Sequence, residues 1–294
     1  MTPTHSASHS AHGFAPEIFS SYSAFESELS IAGVSASELV QNFGSPLFVV
    51  DEDDFRSRAT AFKNSLDKHF GTHAGRVYYA SKAFLNKEIA RWVNDLGIGI
   101  DVASGGELAV ALSVNFPVDR IQVHGNNKSE AEIEAAIGAG VGAIVIDSFH
   151  EIERVARIAA NLQRIQPIFI RVTAGIEAHT HEFIATAHED VKFGFSLNSG
   201  AAWKAIEEIA SHSSLKLIGL HSHIGSQIFD AQGFGVAAER LIGLLAKFHE
   251  HFDDQLPELD LGGGYGVAYL PGEESVNADA VISELSKVVT AECA

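Results

Sequence analysis

Short apolar segments that favour β-strands alternate with helical segments along most of this chain. The strand candidates are rich in Val, Ile and Leu and cover residues 77–80, 98–102, 121–124, 143–146, 168–172, 217–221 and 259–261. Residues with helical periodicity lie between most of them, at 87–95, 107–113, 130–139 and 149–163. Strands that alternate with helices form a parallel sheet with right-handed crossovers. The pattern therefore predicts an α/β fold, a (β/α)8 barrel of the TIM type with seven of its eight strands present.

Composition limits the classes of function open to the chain. The 294 residues are 46% hydrophobic and carry a formal net charge of −18, which argues against a surface that binds nucleic acid or anionic lipid. No apolar run is long enough to cross a bilayer, so no membrane partner is expected. The single cysteine, Cys293, cannot support a disulfide framework, which favours a cytoplasmic location. It ends an apolar helical pattern and is interpreted as a packing residue.

The chain divides into three parts. Residues 1–34 begin with a Ser-, His- and Ala-rich stretch that lacks the features of a signal peptide, and they are predicted to form a mobile tail and lead-in. Residues 35–72 lead into the barrel and should hold a short helix at 35–42 and a strand at 46–51, followed by apolar residues at helical spacing over 53–70. Residues 73–294 are predicted to form the barrel, truncated before its eighth strand. A long connection at 177–196, between the fifth and sixth strands, is predicted to be an active-site loop.

Polar residues cluster where the predicted strands end. They are Lys82, Asp101, Ser104, His124, Asn126, Asn127, Asp147, Arg171, His221 and His223. In a parallel barrel all carboxyl ends lie on one face, and that face carries the chemistry of barrel enzymes. We therefore interpret this rim as a functional site. Lys82 directly follows the first strand, and an amine at that place can form an imine with a carbonyl compound.

A glycine-rich turn, D-L-G-G-G-Y-G, follows the seventh strand on the same rim. Bare glycines let backbone N–H groups approach a phosphate closely, and three stand here in succession: Gly262, Gly263 and Gly264. Ser226, in S-H-I-G-S-Q, can add a hydroxyl to the same phosphate. A phosphate site beside an imine-forming Lys82 suggests pyridoxal 5′-phosphate (PLP) as cofactor. The imidazole of His223 could then stack on the cofactor ring.

The H-x-H pair formed by His221 and His223 leaves a second interpretation open. Such pairs also occur at barrel metal sites, where His124 and Asp147 could complete a zinc site for a hydrolase. Zinc bound without the absorption of an imine would favour that interpretation over PLP.

Six motifs occur in a fixed order: Y-Y-A-S-K-A-F-L, G-I-D-V-A-S-G-G-E-L, H-G-N-N-K-S, H-T-H-E-F-I-A-T-A-H-E-D-V-K-F-G-F-S, L-H-S-H-I-G-S-Q and D-L-G-G-G-Y-G. From about residue 35 to its end the chain thereby resembles the diaminopimelate decarboxylases, a family of fold type III PLP-dependent decarboxylases. The resemblance implies that Lys82 holds PLP as an imine, that His223 stacks on its ring and that Asp101 belongs to the polar network around the imine. The resemblance further implies that Ser226 and Gly262–Gly264 contact the phosphate of PLP. It leaves open the roles of Asn126, Lys128, Arg171 and Lys192.

The function implied by the resemblance is the decarboxylation of meso-2,6-diaminopimelate to L-lysine and CO2 by a homodimeric enzyme. H-G-N-N-K-S and the T-H-E-F loop favour diaminopimelate over ornithine. An ornithine- or arginine-type decarboxylase of the same fold stays the near alternative, and a PLP-binding barrel without catalysis is the more distant one.

Two motifs of the family are missing from the sequence. One is an E-P-G-R segment on the eighth strand, which supplies an acid to the pyridine nitrogen. The other is a C-E-S-G-D segment in a C-terminal β domain, which supplies a catalytic cysteine across the dimer interface. Cys293 stands in T-A-E-C-A and does not match that cysteine. The resemblance therefore implies a fragment that lacks the β domain, and this β domain would also cover residues 46–51.

Overall fold

The computed structural model describes residues 22–25, 28–72, 74–176, 193–269 and 273–293. Its first part is a small antiparallel sheet followed by two helices: β1 (Tyr22–Phe25), β2 (Glu28–Ile31), β3 (Val34–Ser35), α1 (Ala36–Phe43) and α2 (Glu52–Phe70). The sequence analysis anticipated both helices but none of the three strands. Their sequences, Y-S-A-F, E-L-S-I and V-S, lack the apolar runs by which the strands of the barrel were predicted.

Seven parallel strands form the central sheet. In chain order the seven are β4 (Tyr78–Ala80), β5 (Gly99–Val102), β6 (Ile121–Val123), β7 (Ala143–Ile146), β8 (Gln166–Thr173), β10 (Leu215–His221) and β11 (Glu258–Asp260), and a further short strand, β9 (Phe195–Ser196), lies between β8 and β10 in the sequence. They pair in the order β4-β5-β6-β7-β8-β10-β11, and the two-residue β9 pairs with β8 outside this path. The predicted α/β barrel with seven strands is confirmed.

Helices connect most of these strands and cover the outer face of the sheet. They are α3 (Lys87–Asp95), α4 (Gly105–Ser113), α5 (Glu130–Ala139), α6 (Phe149–Asn161), α7 (Ala201–Ala210), α8 (Gln232–Phe252) and α9 (Ala278–Glu292). Several begin soon after a strand, because a polar residue caps the first turn: the side chains of Ser104, Ser129 and Ser148 each accept a hydrogen bond from a backbone N–H three residues on. None of the described helices is both long and apolar enough to cross a membrane.

The core lies in two layers because alternate strand residues face opposite sides of the sheet. Residues such as Ile100, Ile121 and Ile144 face outward into a large cluster with the helices. Inside the barrel a smaller apolar cluster contains Ala143, Val145 and Phe169. Polar residues of the same strands lie nearer their carboxyl ends, and they form the candidate site.

The sheet stays open between β4 and β11. In the described part of the chain neither strand has a partner on its outer side, and a cavity of about 730 Å³ lies between them. The helices do meet across this opening: α2 contacts α9, where Lys68 Nζ and His69 Nε2 lie 2.7 and 2.9 Å from the Asp279 carboxylate. The layer of helices is therefore continuous at the place where the sheet is open.

Two expectations are wrong. Residues 46–51, predicted to be a strand within the 35–72 lead-in, form no strand, and the side chain of Phe48 is 97% exposed. The segment has the residue types of a strand, but no described strand lies beside it to pair with it. Cys293 does not pack, since it is exposed at the C-terminal end of α9.

Candidate active site

Strand register brings the polar residues of five strands to one level inside the barrel. Asp101 of β5 is paired with Ala80 of β4, and His221 of β10 is paired with both Arg171 of β8 and Asp260 of β11. His124 follows β6 directly. Because paired residues of a parallel sheet face the same side, these side chains line the barrel interior just below its rim.

Lys82 lies above this level, in a single 3-10 turn formed by Ser81–Ala83 directly after β4. The hydroxyl of Tyr79 donates a hydrogen bond to the carbonyl of Phe84 at 2.7 Å and so fixes the turn to its strand. Ser81 is buried, while Lys82 is exposed. The predicted lysine is therefore free to meet a ligand from outside the barrel.

His124 and His221 form a buried edge-to-face pair with ring centroids 5.1 Å apart. Nε2 of His124 lies 3.4 Å from Oδ1 of Asp101 without hydrogen-bond geometry. Burial, followed by the charges of His124 and Arg171, lowers the pKa of His221 well below its usual value, so this ring is neutral. Oδ1 of Asp101, Nε2 of His124 and Nδ1 of His221 have no hydrogen-bond partner among the described residues. Buried polar atoms of this kind normally contact a ligand or water.

His223 connects the lysine side of the rim with the glycine turn. Burial, and then the positive charge of Lys82, lower its pKa to about 3, so the imidazole is neutral at pH 7. An ideal Cβ on Gly262 or on Gly264 would lie 3.1 to 3.3 Å from this ring. The ring thus offers an uncharged face beside the turn that is predicted to hold a phosphate.

The glycine turn is pressed against the segment that follows β10. Gly262 and Gly264 have φ angles of +69° and +102°, and a side chain on Gly262 would come within 2.6 Å of the Ser222 carbonyl. A side chain on Gly264 would overlap the carbonyl of Gly225. Only glycine fits at these two positions. A Cβ on Gly263 would meet nothing within 4 Å, so the turn leaves open space there.

Two further contacts hold this turn. Oδ1 of Asp260 accepts a hydrogen bond from the N–H of Gly262 at 2.8 Å. Burial, and then the charge of Asp101, raise the pKa of Asp260 to about 6. The side chain of Gln227 exchanges hydrogen bonds with the backbone of Val267, which fastens the segment after β10 to the segment after β11. Ser226 is exposed beside this junction, where the sequence analysis placed a phosphate contact.

Of the remaining rim residues, the structure describes Arg171 and Asn126. Arg171 lies 3.8 Å from Asp147 and stacks on the ring of Phe193 at 4.4 Å, and burial lowers its pKa. Asn126 is exposed at the rim. Lys192 and most of the predicted active-site loop lie outside the described residues.

Within the described part, no three His, Cys, Asp or Glu side chains form a group that could hold a metal ion, so the geometry adds nothing to the zinc interpretation.

Sequence reasoning missed two features of the rim. Lys128, assigned no role, is deeply buried and paired with Glu151, a residue that carried no signal at all. Asp260 was visible only as part of the glycine motif, and its bond to the turn depends on a side-chain orientation that a motif does not specify.

Comparisons with known proteins give matches over most of the chain. The family model described as "Pyridoxal-dependent decarboxylase, pyridoxal binding domain" matches residues 52–294. Diaminopimelate decarboxylase of Corynebacterium efficiens is 50% identical over 261 residues, which cover 89% of this chain and 56% of that protein. The Mycobacterium tuberculosis enzyme is 50% identical over 266 residues, with 89% and 58% covered. The M. jannaschii diaminopimelate decarboxylase in complex with L-lysine has a TM-score of 0.82 at 28% identity, with 93% of this chain and 62% of that chain covered. The chain thus spans little more than half the length of the curated relatives it matches.

Proposed function

Because this chain belongs to the pyridoxal-dependent decarboxylases, whose pyridoxal-binding domain matches residues 52–294, we propose that it is the PLP-binding barrel of a diaminopimelate decarboxylase. One observation carries the proposal: the ring of His223 lies against a glycine turn that has open space at Gly263, and the charge of Lys82 acts on the same ring. PLP carries an aldehyde on one side of its ring and a phosphate on the other. Its site therefore needs a lysine, a group that contacts the ring and a turn that binds phosphate. The three buried polar atoms without partners below it also fit a bound cofactor.

Each predicted residue takes a role that follows from its place. The amine of Lys82 would hold the cofactor, and the neutral ring of His223 would stack on it. Asp101, whose strand neighbour Ala80 stands two residues before Lys82, would accept a hydrogen bond from the amine. When bound, PLP supplies the electron sink for the bond that loses CO2.

The phosphate would lie at the glycine turn. Gly263 and Gly264 would donate backbone N–H groups and Ser226 would add its hydroxyl, whereas Gly262 shapes the turn, because its own N–H is already donated to Asp260. Asp260 keeps this turn in place through the N–H of Gly262.

The substrate and the assembly extend the proposal beyond the cofactor. The relatives at 50% identity are named diaminopimelate decarboxylases, and a solved neighbour holds L-lysine. This supports meso-2,6-diaminopimelate as substrate and L-lysine as product, the last step of lysine biosynthesis. We further propose a cytoplasmic enzyme that works as a homodimer in its full length.

The test of this function is to locate the cofactor on the chain. The protein is saturated with PLP, reduced with borohydride and digested, and the labelled peptide is sequenced. We expect the label on Lys82 and its loss in Lys82→Ala, while Lys87→Ala, at the start of α3, is labelled like the parent. Label on Lys128 or Lys192 would overturn the assignment of the lysine, and no label at all would overturn the function.

A further inference from the structure

Lys128 and Glu151 form an ion pair that is closed off from solvent beneath the rim. The Nζ of Lys128 lies 2.8 Å from Oε1 of Glu151, and the two side chains are only 3% and 6% exposed. Burial lowers the pKa of Lys128, and the charge of Glu151 opposes that effect. Taking both charges out of water is costly, so the arrangement needs a reason other than stability alone.

The bonds of the pair reach three separate segments. Besides Glu151, the ammonium of Lys128 donates to the carbonyl of Gly125 at 2.7 Å and to that of Val145 at 2.6 Å. All three of its N–H groups are thereby used. The second oxygen of Glu151 accepts a hydrogen bond from the backbone N–H of Asp147 at 2.7 Å. The pair therefore ties the loop after β6, the end of β7 and the first turn of α6 to one another.

Both ends of this connection carry residues of the candidate site. The loop after β6 begins at His124, which faces Asp101, and Gly125 stands there with a φ of +117°. The end of β7 carries Asp147, whose side chain faces Arg171 at 3.8 Å. The charge of Arg171 in turn contributes to the lowered pKa of His223. The two loops would lose their common support without the pair.

We infer that Lys128 and Glu151 are positioning residues that hold the loop after β6 and the backbone of Asp147 in place beneath the cofactor. An apolar pair of similar volume could fill the same space and stabilise the fold equally well. It could not accept from the N–H of Asp147 or donate to Gly125 and Val145. The link to the cofactor rests on the proposed function, whereas the support of the two loops does not.

The experiment separates stability from positioning with four variants of the whole chain. Lys128→Met breaks the pair, Glu151→Gln keeps its volume with one acceptor, and Lys128→Met/Glu151→Leu replaces it by an apolar pair. The control is Glu130→Gln/Arg157→Met, which removes an exposed ion pair between the neighbouring helices α5 and α6. Stability to urea, amide hydrogen exchange of residues 124–128 and of Asp147, and PLP affinity are measured for each.

We expect Lys128→Met to lose stability and the apolar double variant to regain most of it. In the double variant the amide of Asp147 should still exchange faster, and PLP should bind at least about tenfold more weakly than to the parent, a change of about 1.4 kcal/mol. Glu151→Gln should lie between, and the exposed control should match the parent throughout.

Two results would overturn the inference. In one, the apolar double variant shows parental exchange at Asp147 and residues 124–128. In the other, exchange rises but PLP affinity stays parental, so that the loops are supported without consequence for the cofactor. A parent chain that binds no PLP would refute the proposed function instead, and the exchange measurements would still decide whether the pair supports the loops.

Discussion

At the scale of single residues, the three glycines of the turn differ in what they require. Gly262 and Gly264 are forced by positive φ angles and by carbonyls that lie against them, so the fold alone explains both. Gly263 has open space around it, and nothing in the chain itself requires it to be glycine. A ligand that occupies this space would explain why the residue is glycine. The site can therefore be tested at a position that the fold does not need.

We predict that Gly263→Ala leaves the fold intact and weakens PLP binding by at least about tenfold, or about 1.4 kcal/mol, because the new methyl group occupies phosphate space. Gly264→Ala should instead destabilise the chain, since its Cβ overlaps the Gly225 carbonyl. Gly138→Ala, in α5 with no neighbour within 4 Å, is the control and should be neutral or slightly stabilising. PLP titration and urea unfolding measure the two effects. Parental PLP affinity in Gly263→Ala would place the phosphate elsewhere.

Asp260 gives a prediction about pH. Burial and the charge of Asp101 raise the pKa of Asp260 from its ordinary 3.8, the value in the unfolded chain, to about 6 in the folded chain. The neutral carboxyl therefore favours the fold below about pH 4, and this contribution is lost as the pH rises through 6. Asp260→Asn keeps an oxygen for the N–H of Gly262 but cannot ionise.

The Asp260→Asn variant should thus gain stability relative to the parent between pH 4 and pH 7, measured as urea unfolding against pH. Asp254→Asn, on the exposed loop before β11, serves as control. A difference between Asp260→Asn and the parent that does not change with pH would show that Asp260 does not titrate in this range.

The residues that the sequence could identify are those fixed by the backbone. A residue that ends a parallel strand must stand on the rim, which is why the positions of Lys82, Asp101 and His223 could be predicted. The burial of Lys128 could not, because a lysine after a strand usually points to water. Its partner Glu151 stands 23 residues away, and only the packing of α6 against α5 brings the two together.

At the scale of elements, prediction succeeded where local chemistry and periodicity agree. Helix α5 was predicted with its observed bounds, and it is framed by a capping box at Ser129 and Glu132 and by Gly140 in the left-handed conformation. Residues 46–51 failed for the opposite reason. Their apolar, β-branched composition reports only a tendency, and a strand exists only where another strand pairs with it.

Helix α5 also gives a stability prediction. Ser129→Ala removes the side-chain acceptor of the Glu132 N–H and one partner of the Glu132 carboxylate, and should cost about 0.5–2 kcal/mol of unfolding free energy. Ser113→Ala is the matched control, because its hydroxyl donates only to a carbonyl in the last turn of α4. Urea unfolding of both variants measures the difference. Equal stability of the two would mean that α5 is held by packing and that its cap contributes nothing.

At the scale of the whole molecule, the helical layer and the strand layer are not equally complete. Helices α2 and α9 meet around Asp279, while β4 and β11 present open edges to a cavity of about 730 Å³. Open edges of this kind invite pairing with other chains. The exposed side chains of Phe43 and Phe48 add further apolar surface that is in contact with solvent. Lys82, directly after β4, and the glycine turn, directly after β11, lie on opposite sides of this opening.

We therefore predict that the 294-residue chain binds PLP weakly and turns over meso-diaminopimelate very slowly or not at all. The residues proposed to contact the cofactor are present, but the opening lets the two halves of the site move apart, and a misplaced reacting group loses rate steeply. CO2 release is measured with saturating PLP beside a full-length diaminopimelate decarboxylase, and light scattering follows self-association, which we expect to rise with concentration. A rate near that of the full-length enzyme, from a chain that stays monomeric, would show that seven strands suffice to hold the lysine and the phosphate site at their working distance.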